Sequence, residues 1–233
     1  MMLINADFSQ RVVINPNDYD WMPSMSHGVE RATFERIGVE LAKTTSLVRY
    51  APFADYAPHM HSHSEEILVV SGDFSDELGH YPEGTYLRSP VGPCYNPRIG
   101  SQGAILLIKQ NQFQQHDLRQ KILHTQSMPW EEELAHGLRV MQLHQFGTEH
   151  VALAKWDPYS QFTKHEHWGG EEVFVISGTY YDEHGKYPAG TWIRSPHGSS
   201  HHPYTLQDGA LVMVKTGHLP NTDFMEEEYI LSA

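Results

Sequence analysis

A chain of 233 residues with 39% hydrophobic and 11% aromatic content is long enough to bury one or two ordinary cores. Its net charge of -13, with only 16 Lys and Arg, argues against a phosphate-backbone ligand, because such binders neutralise phosphates with clustered cations. The single cysteine, Cys94, rules out an intramolecular disulfide and fits a reducing compartment.

The opening MMLINADFSQRVV lacks the basic segment and long apolar run of a signal peptide, and no apolar run is long enough to cross a bilayer. The expectation is a soluble, cytoplasmic protein with neither a membrane nor a nucleic acid as partner. Asn15-Pro16-Asn17-Asp18 is a turn cluster, followed by Tyr19-Asp20-Trp21-Met22-Pro23. From residue 29 onward the text is short β-rich runs divided by Gly, Pro, Asp and Asn. The runs predict strands over 32–37, 40–50, 65–71, 85–89 and 104–110, and again over 139–145, 151–156, 171–177, 191–195 and 210–216. Regularly spaced short strands point to an all-β barrel or sandwich. The one helix candidate is 129–135, with Ser127 as cap and Glu131, Glu132 and Glu133 at its positive end. The tail ending MEEEYILSA is expected to pair with or pack on the other half of the chain.

The strand series is written twice. Displacing the sequence by 106 superposes 59–109 on 165–215 without a gap, and 22 of the 51 pairs are identical. Trp21, His27 and Gly28 fall on Trp130, His136 and Gly137 at a displacement of 109, which makes the two tryptophans equivalent packing residues. Repetition on this scale means two copies of one unit, divided at 1–116 and 117–233.

The stretch His165-Glu166-His167-Trp168-Gly169-Gly170-Glu171 carries the chemistry. If 165–178 is one strand ending at Gly178, side chains two apart share a face, so His165, His167 and Glu171 point the same way and Glu172 the other. His201, delivered by the turn at Pro196 and Gly198, makes the fourth donor of a divalent-metal site, with His202 as the alternative. His184 and His197 sit in turns and are expected to be solvated. The first copy repeats His59, His61 and Glu65, but Tyr95 stands at the place of His201. Phenol must lose a proton near pH 10 before it binds a metal. That copy therefore reads as a three-ligand or degraded site, with Asn96 or His63 as substitutes. Arg88 and Arg194 are expected to brace the following turn rather than to clamp a substrate.

The stretches HMHSHSEEILVVSG and HEHWGGEEVFVISG, with GTYLRSPVGPCY and GTWIRSPHGSSH, resemble the two motifs of the cupin superfamily. The glycine that usually precedes the first motif is absent from both copies. The Glu-Glu pair, Ser-Gly and Asp-Glu-x-Gly-x-Tyr-Pro-x-Gly-Thr resemble the ChrR-like cupin group in particular. The resemblance covers 28–109 and 137–215 and implies a jelly-roll barrel doubled into a bicupin. It places zinc or another divalent ion on His165, His167, Glu171 and His201. Anti-sigma members of that group sequester their sigma factor through a separate N-terminal helical zinc domain, whereas both halves here are cupin units.

Three functions fit. The first is a metal-dependent oxygenase in which Fe(II) in the barrel meets a small diketone or hydroxyketone. The second is a regulatory metal or oxidant sensor whose partner is a sigma factor or another regulatory protein. The third is a metal-binding protein without turnover, for which Zn, Mn or Ni serve as well. Outside the metal donors, no residue pair stands out as an acid, base or nucleophile, so no catalytic residue is assigned.

Overall fold

The computed structural model describes residues 3–38, 41–54, 64–90, 97–131 and 133–221. The strands of the first half of the chain are β1 (Val12–Ile14), β2 (Trp21–Pro23), β3 (Val29–Ile37), β4 (Lys43–Tyr50), β5 (Glu65–Ser75), β6 (His80–Pro82), β7 (Thr85–Ser89), β8 (Arg98–Gln110) and β9 (Lys121–His124). Those of the second half are β10 (Glu133–Ala135), β11 (Leu138–Phe146), β12 (Glu149–Trp156), β13 (His165–His167), β14 (Glu171–Asp182), β15 (Gly185–Pro188), β16 (Trp192–Ser195), β17 (Ser199–His201) and β18 (Tyr204–Thr216). All ten predicted strands are present. Among the described residues there is no α-helix, only single 3-10 turns at Pro16–Asp18 and Thr125–Ser127.

The chain forms two compact units, each an antiparallel eight-stranded sheet. In the first the order is β2-β3-β4-β8-β5-β7-β9, with β6 paired to β5. In the second it is β1-β16-β14-β18-β12-β11-β10, with β15 paired to β14, and β13 and β17 form a separate ribbon. The architecture is that of a duplicated cupin. The units trade their lead segments: one comprises Met1–Ala6 and Tyr19–Met128, the other Asp7–Asp18 and Pro129–Ala233. A division at 116/117 therefore cuts across the pairing, because β9 adds to β7 through Thr85↔His124 and Arg88↔Lys121, while β1 adds to β16 through Val12↔Arg194 and Ile14↔Trp192.

Each core lies on the inner face of its sheet. Val69, Tyr81, Leu87, Ala104 and Leu106 fill the first unit, and their counterparts Val175, Tyr187, Ile193, Ala210 and Val212 fill the second. Burying each of the branched aliphatic side chains contributes about 1.5–3 kcal/mol, which is what holds the register. The two tryptophans are equivalent: the Arg49 guanidinium lies 4.3 Å over the Trp21 ring, and Lys155 Nζ lies 5.9 Å over Trp130.

Three local expectations are corrected. Gly178 does not end its strand; β14 runs through it to Asp182, with a bulge between Gly178 and Tyr180. A Cβ at Gly178 would lie 2.3 Å from Gly209 O, and its φ is +73°, so only glycine lets the strands cross so closely. The described residues of the segment 129–135 are not helical. A helix of two turns has too few hydrogen bonds to offset nucleation; Glu133–Ala135 instead pairs with β11, and the Glu133 carboxylate accepts from Gly137 N at 2.6 Å. The C-terminal tail from 222 lies outside the described residues.

Candidate metal centre

The stretch that carries the histidines is two strands, not one. β13 ends at His167, and Trp168–Gly170 turn the chain into β14, closed by Gly170 N donating to His167 O at 3.0 Å. Gly169 and Gly170 have φ of +77° and +66°. A Cβ at Gly169 would meet Gly217 Cα at 2.6 Å, so a glycine here is a steric necessity. The alternation argument holds within β13 for His165 and His167, but Glu171 reaches the same point because β14 starts afresh after the turn. β17 pairs antiparallel with β13 and sets His201 directly opposite His165.

The three rings and the carboxylate converge. Ligand atoms of His165, His167 and His201 all lie within 4.8 Å of one another. His167 Nε2 is 3.0 Å from His201 Nε2, while the Glu171 oxygens lie 3.5 Å from His167 Nε2 and 3.6 Å from His201 Nε2. Two nitrogens each about 2.1 Å from one cation and about 90° apart would stand about 3.0 Å from each other, so the spacing suits shared coordination. His167, His201 and Glu171 are buried, and His165 is half-buried.

The outer nitrogens point to backbone and carboxylate partners. His165 Nδ1 is 2.9 Å from Thr163 O, and His201 Nδ1 is 3.8 Å from Asp182 Oδ2. A carbonyl or carboxylate on Nδ1 favours the tautomer with its proton there, leaving Nε2 lone pairs facing inward. Such lone pairs repel unless a proton or cation lies between them. The acid–base behaviour of the metal-free centre agrees. Burial, reinforced by the His201 and His165 charges, holds His167 down to about 3, and burial likewise lowers His165. For His201 burial acts downward but is outweighed by Asp182 and Glu171, which raise it. Burial pushes the Glu171 carboxyl up, against the pull of His201.

Glu172 faces the other way, as alternation predicts, and is buried rather than solvated. It accepts from Trp192 Nε1 at 3.0 Å and pairs with His218 Nε2 at 2.6 Å. His202 is exposed, and its backbone N–H donates to Glu183 at 2.8 Å, so His201 is the inward residue. His184 is exposed. His197 is not simply solvated: its Nδ1 accepts from Gly169 N at 2.9 Å, and its ring meets Trp168 edge-on at 5.2 Å. Both arginines are fully buried and engaged within the protein. Arg88 is fully buried on Glu66 at 3.3 Å and Asp117 at 2.7 Å, and Arg194 donates to Asp7 O at 2.7 Å with its guanidinium over Phe8.

In the first unit His59, His61 and Tyr95, together with His63 and Asn96, lie outside the described residues. Glu65 is buried and accepts from Gln110 Nε2 at 2.8 Å, a partner that the second unit replaces with Thr216. The first unit holds a cavity of about 70 Å³, walled by Ile67, Phe74, Leu87 and Ile108 and edged by Glu65 and Gln120.

Two repeated antiparallel barrels, one with imidazoles and a carboxylate turned on a common point, define a bicupin. The chain belongs to the ChrR Cupin-like family, whose domain model matches residues 9–114 and 118–220. Among curated proteins none matches the sequence. Solved structures share the fold. A candidate dioxygenase from Nostoc punctiforme is 16% identical, with a TM-score of 0.74 over 89% of this chain and 82% of its own. A candidate glyoxylate-induced protein from Pseudomonas aeruginosa is 15% identical, with a TM-score of 0.71 over 92% and 90%. The oxalate decarboxylase of Lactobacillus farciminis is 12% identical, with a TM-score of 0.65 over 90% and 86%. Among the described residues no helix is long and apolar enough to cross a membrane.

Proposed function

We propose that the protein is a divalent-metal-binding bicupin whose second unit holds the ion on His165, His167, His201 and Glu171, and that it oxygenates a small diketone or hydroxyketone. The observation that carries the reading is the convergence of three buried or half-buried imidazoles and one buried carboxylate on a single point. Three nitrogens and one oxygen accept Fe(II), Zn, Mn or Ni. Iron would supply the O₂ chemistry. The protein's share is to orient the donors, keep them dry and leave Glu171 as the one anionic donor. In sequence the first unit offers His59, His61 and Glu65 with Tyr95 in the fourth place, a weaker donor set, and its described residues line a small apolar cavity. The fold shared with a candidate dioxygenase supports oxygenation as the chemistry. Ferrous-loaded protein is expected to consume O₂ on mixing with members of a diketone and hydroxyacetophenone panel. Silence across that panel at full iron occupancy would remove the oxygenase reading.

A second reading follows from what the ChrR-like resemblance implies: a regulatory metal or oxidant sensor engaging a sigma factor or other regulatory protein. Retention of a sigma factor by the purified full-length chain, changed by metal removal, would decide for it.

A further inference from the structure

Arg11 lies in the lead segment, one residue before β1, and the pairing Val12↔Arg194 fixes where its side chain enters the second unit. Its Nη2 donates to Asp182 Oδ2 at 3.0 Å and to Tyr187 Oη at 2.7 Å. Asp182 Oδ1 is already committed: it accepts from Tyr187 Oη at 2.6 Å, His184 N at 2.8 Å and Gly185 N at 3.0 Å. The two carboxylate oxygens thus divide their work. Oδ1 ties the β14–β15 turn, and Oδ2 is shared between Arg11 and the outer nitrogen of His201, 3.8 Å away. At that distance the contact with His201 is electrostatic rather than a hydrogen bond.

The repeat supplies a comparison inside one chain. Asp76 and Tyr81 keep the same turn, with Asp76 Oδ1 accepting from Leu78 N at 2.7 Å, Gly79 N at 3.1 Å and Tyr81 Oη at 2.7 Å. The pairing Arg88↔Lys121 puts Gln120 at the place that Arg11 holds in the second unit. Where the histidine becomes Tyr95, the cation becomes Gln120. The aspartate and tyrosine remain in both copies because the turn needs them; the arginine is found only with the histidine.

We propose that Arg11 is a positioning residue for the metal centre: it fixes Asp182, and Asp182 in turn aims His201 Nε2 at His167 and Glu171. The assignment rests on the metal reading above. A side chain from the exchanged lead strand thereby sets the affinity of a site built by β13, β14 and β17.

Co²⁺ binding to the full-length chain, followed by chelator competition and by the d–d absorption spectrum, tests it. Arg11→Met is expected to weaken Co²⁺ binding about 10- to 100-fold and to change the spectrum, as losses of outer partners of ligating histidines do. Arg11→Lys is expected to recover part of the loss and of the spectrum. In an Asp182→Asn background, Arg11→Met is expected to add less than about 2-fold, because the arginine acts through that carboxylate. Wild-type affinity and spectrum in Arg11→Met would overturn the proposal, as would an undiminished further loss in the Asp182→Asn background. If Arg11→Met fails to fold, Tyr187→Phe, which removes the second acceptor of Arg11, carries the test. It is expected to weaken binding about 3- to 10-fold, and wild-type behaviour would count against the assignment. Equal Co²⁺ binding by wild type and His201→Ala would instead refute the metal reading itself, a result that no outcome at Arg11 imitates.

Discussion

Two glycines beside the centre look alike in sequence and differ sharply in surroundings, which makes them a paired test of how the histidines are placed. Gly169 and Gly198 have φ of +77° and +70°, so alanine at either incurs the left-handed cost of about 1–2 kcal/mol. At Gly198 the added Cβ meets nothing within 4 Å, whereas at Gly169 it lies 2.6 Å from Gly217 Cα and 2.8 Å from Gly217 C. That obstacle is backbone, already fixed by Gly217 N donating to Gly170 O at 3.2 Å and by Leu219 N donating to Gly169 O at 2.8 Å. Relief therefore requires the turn to move, at a further cost of about 1–3 kcal/mol. For a unit of about a hundred residues this separates the two variants by roughly 5–15 °C in melting temperature. The movement acts on His167, two residues away, so Gly169→Ala is expected to weaken metal binding about 10-fold, and Gly198→Ala by much less. Calorimetry of the metal-free proteins and chelator competition read the two quantities. Equal melting temperatures would refute the collision, and an unchanged affinity in a destabilised Gly169→Ala would refute the claim that this turn aims the ring.

Other perturbations address other parts of the molecule. His201→Ala should lower metal content more than Tyr95→Phe, and equal losses on elemental analysis would contradict the ranking of the two units. Acid acts on Asp182 with a definite sign: burial pushes its carboxyl up, but His201, Tyr187, the turn N–H of His184 and Arg11 together outweigh it and hold it at about 2, below its ordinary 3.8. Its contribution to stability is therefore present above pH 4 and lost as pH falls toward 2. Urea midpoints of metal-free Asp182→Asn should lack that component, and a wild-type acid profile would rule it out. Glu149 and Lys215 pair at 3.1 Å with both side chains 1% exposed, so Lys215→Met should destabilise by about 3–5 kcal/mol, and Glu149→Gln added to it should restore part. A strictly additive pair in urea titration would speak against the buried ion pair.

The duplicated architecture was readable because identical residues recur at a fixed displacement, and repetition needs no knowledge of three-dimensional pairing. The candidate donors were readable because His165, His167, Glu171 and His201 form a spaced pattern of ligand-type side chains. The route to them was not. Alternation assumes an unbroken strand, and the break at Trp168–Gly170 is set by the approach of Gly217, almost fifty residues away. Long-range pairing also hid the exchange of lead segments: nothing in Arg11-Val12-Val13-Ile14 says which sheet it will join. Ser127 and the three glutamates suggested a helix from local propensity alone, and hairpin pairing of Glu133–Ala135 with β11 won.

Anomalous diffraction from crystals of protein purified without added metal tests the central claim most directly. A single strong peak about 2.0–2.3 Å from Nε2 of His165, His167 and His201 and from a Glu171 oxygen is the expected result. A metal-replete crystal with its peak elsewhere, or with these rings turned away from it, would contradict the account.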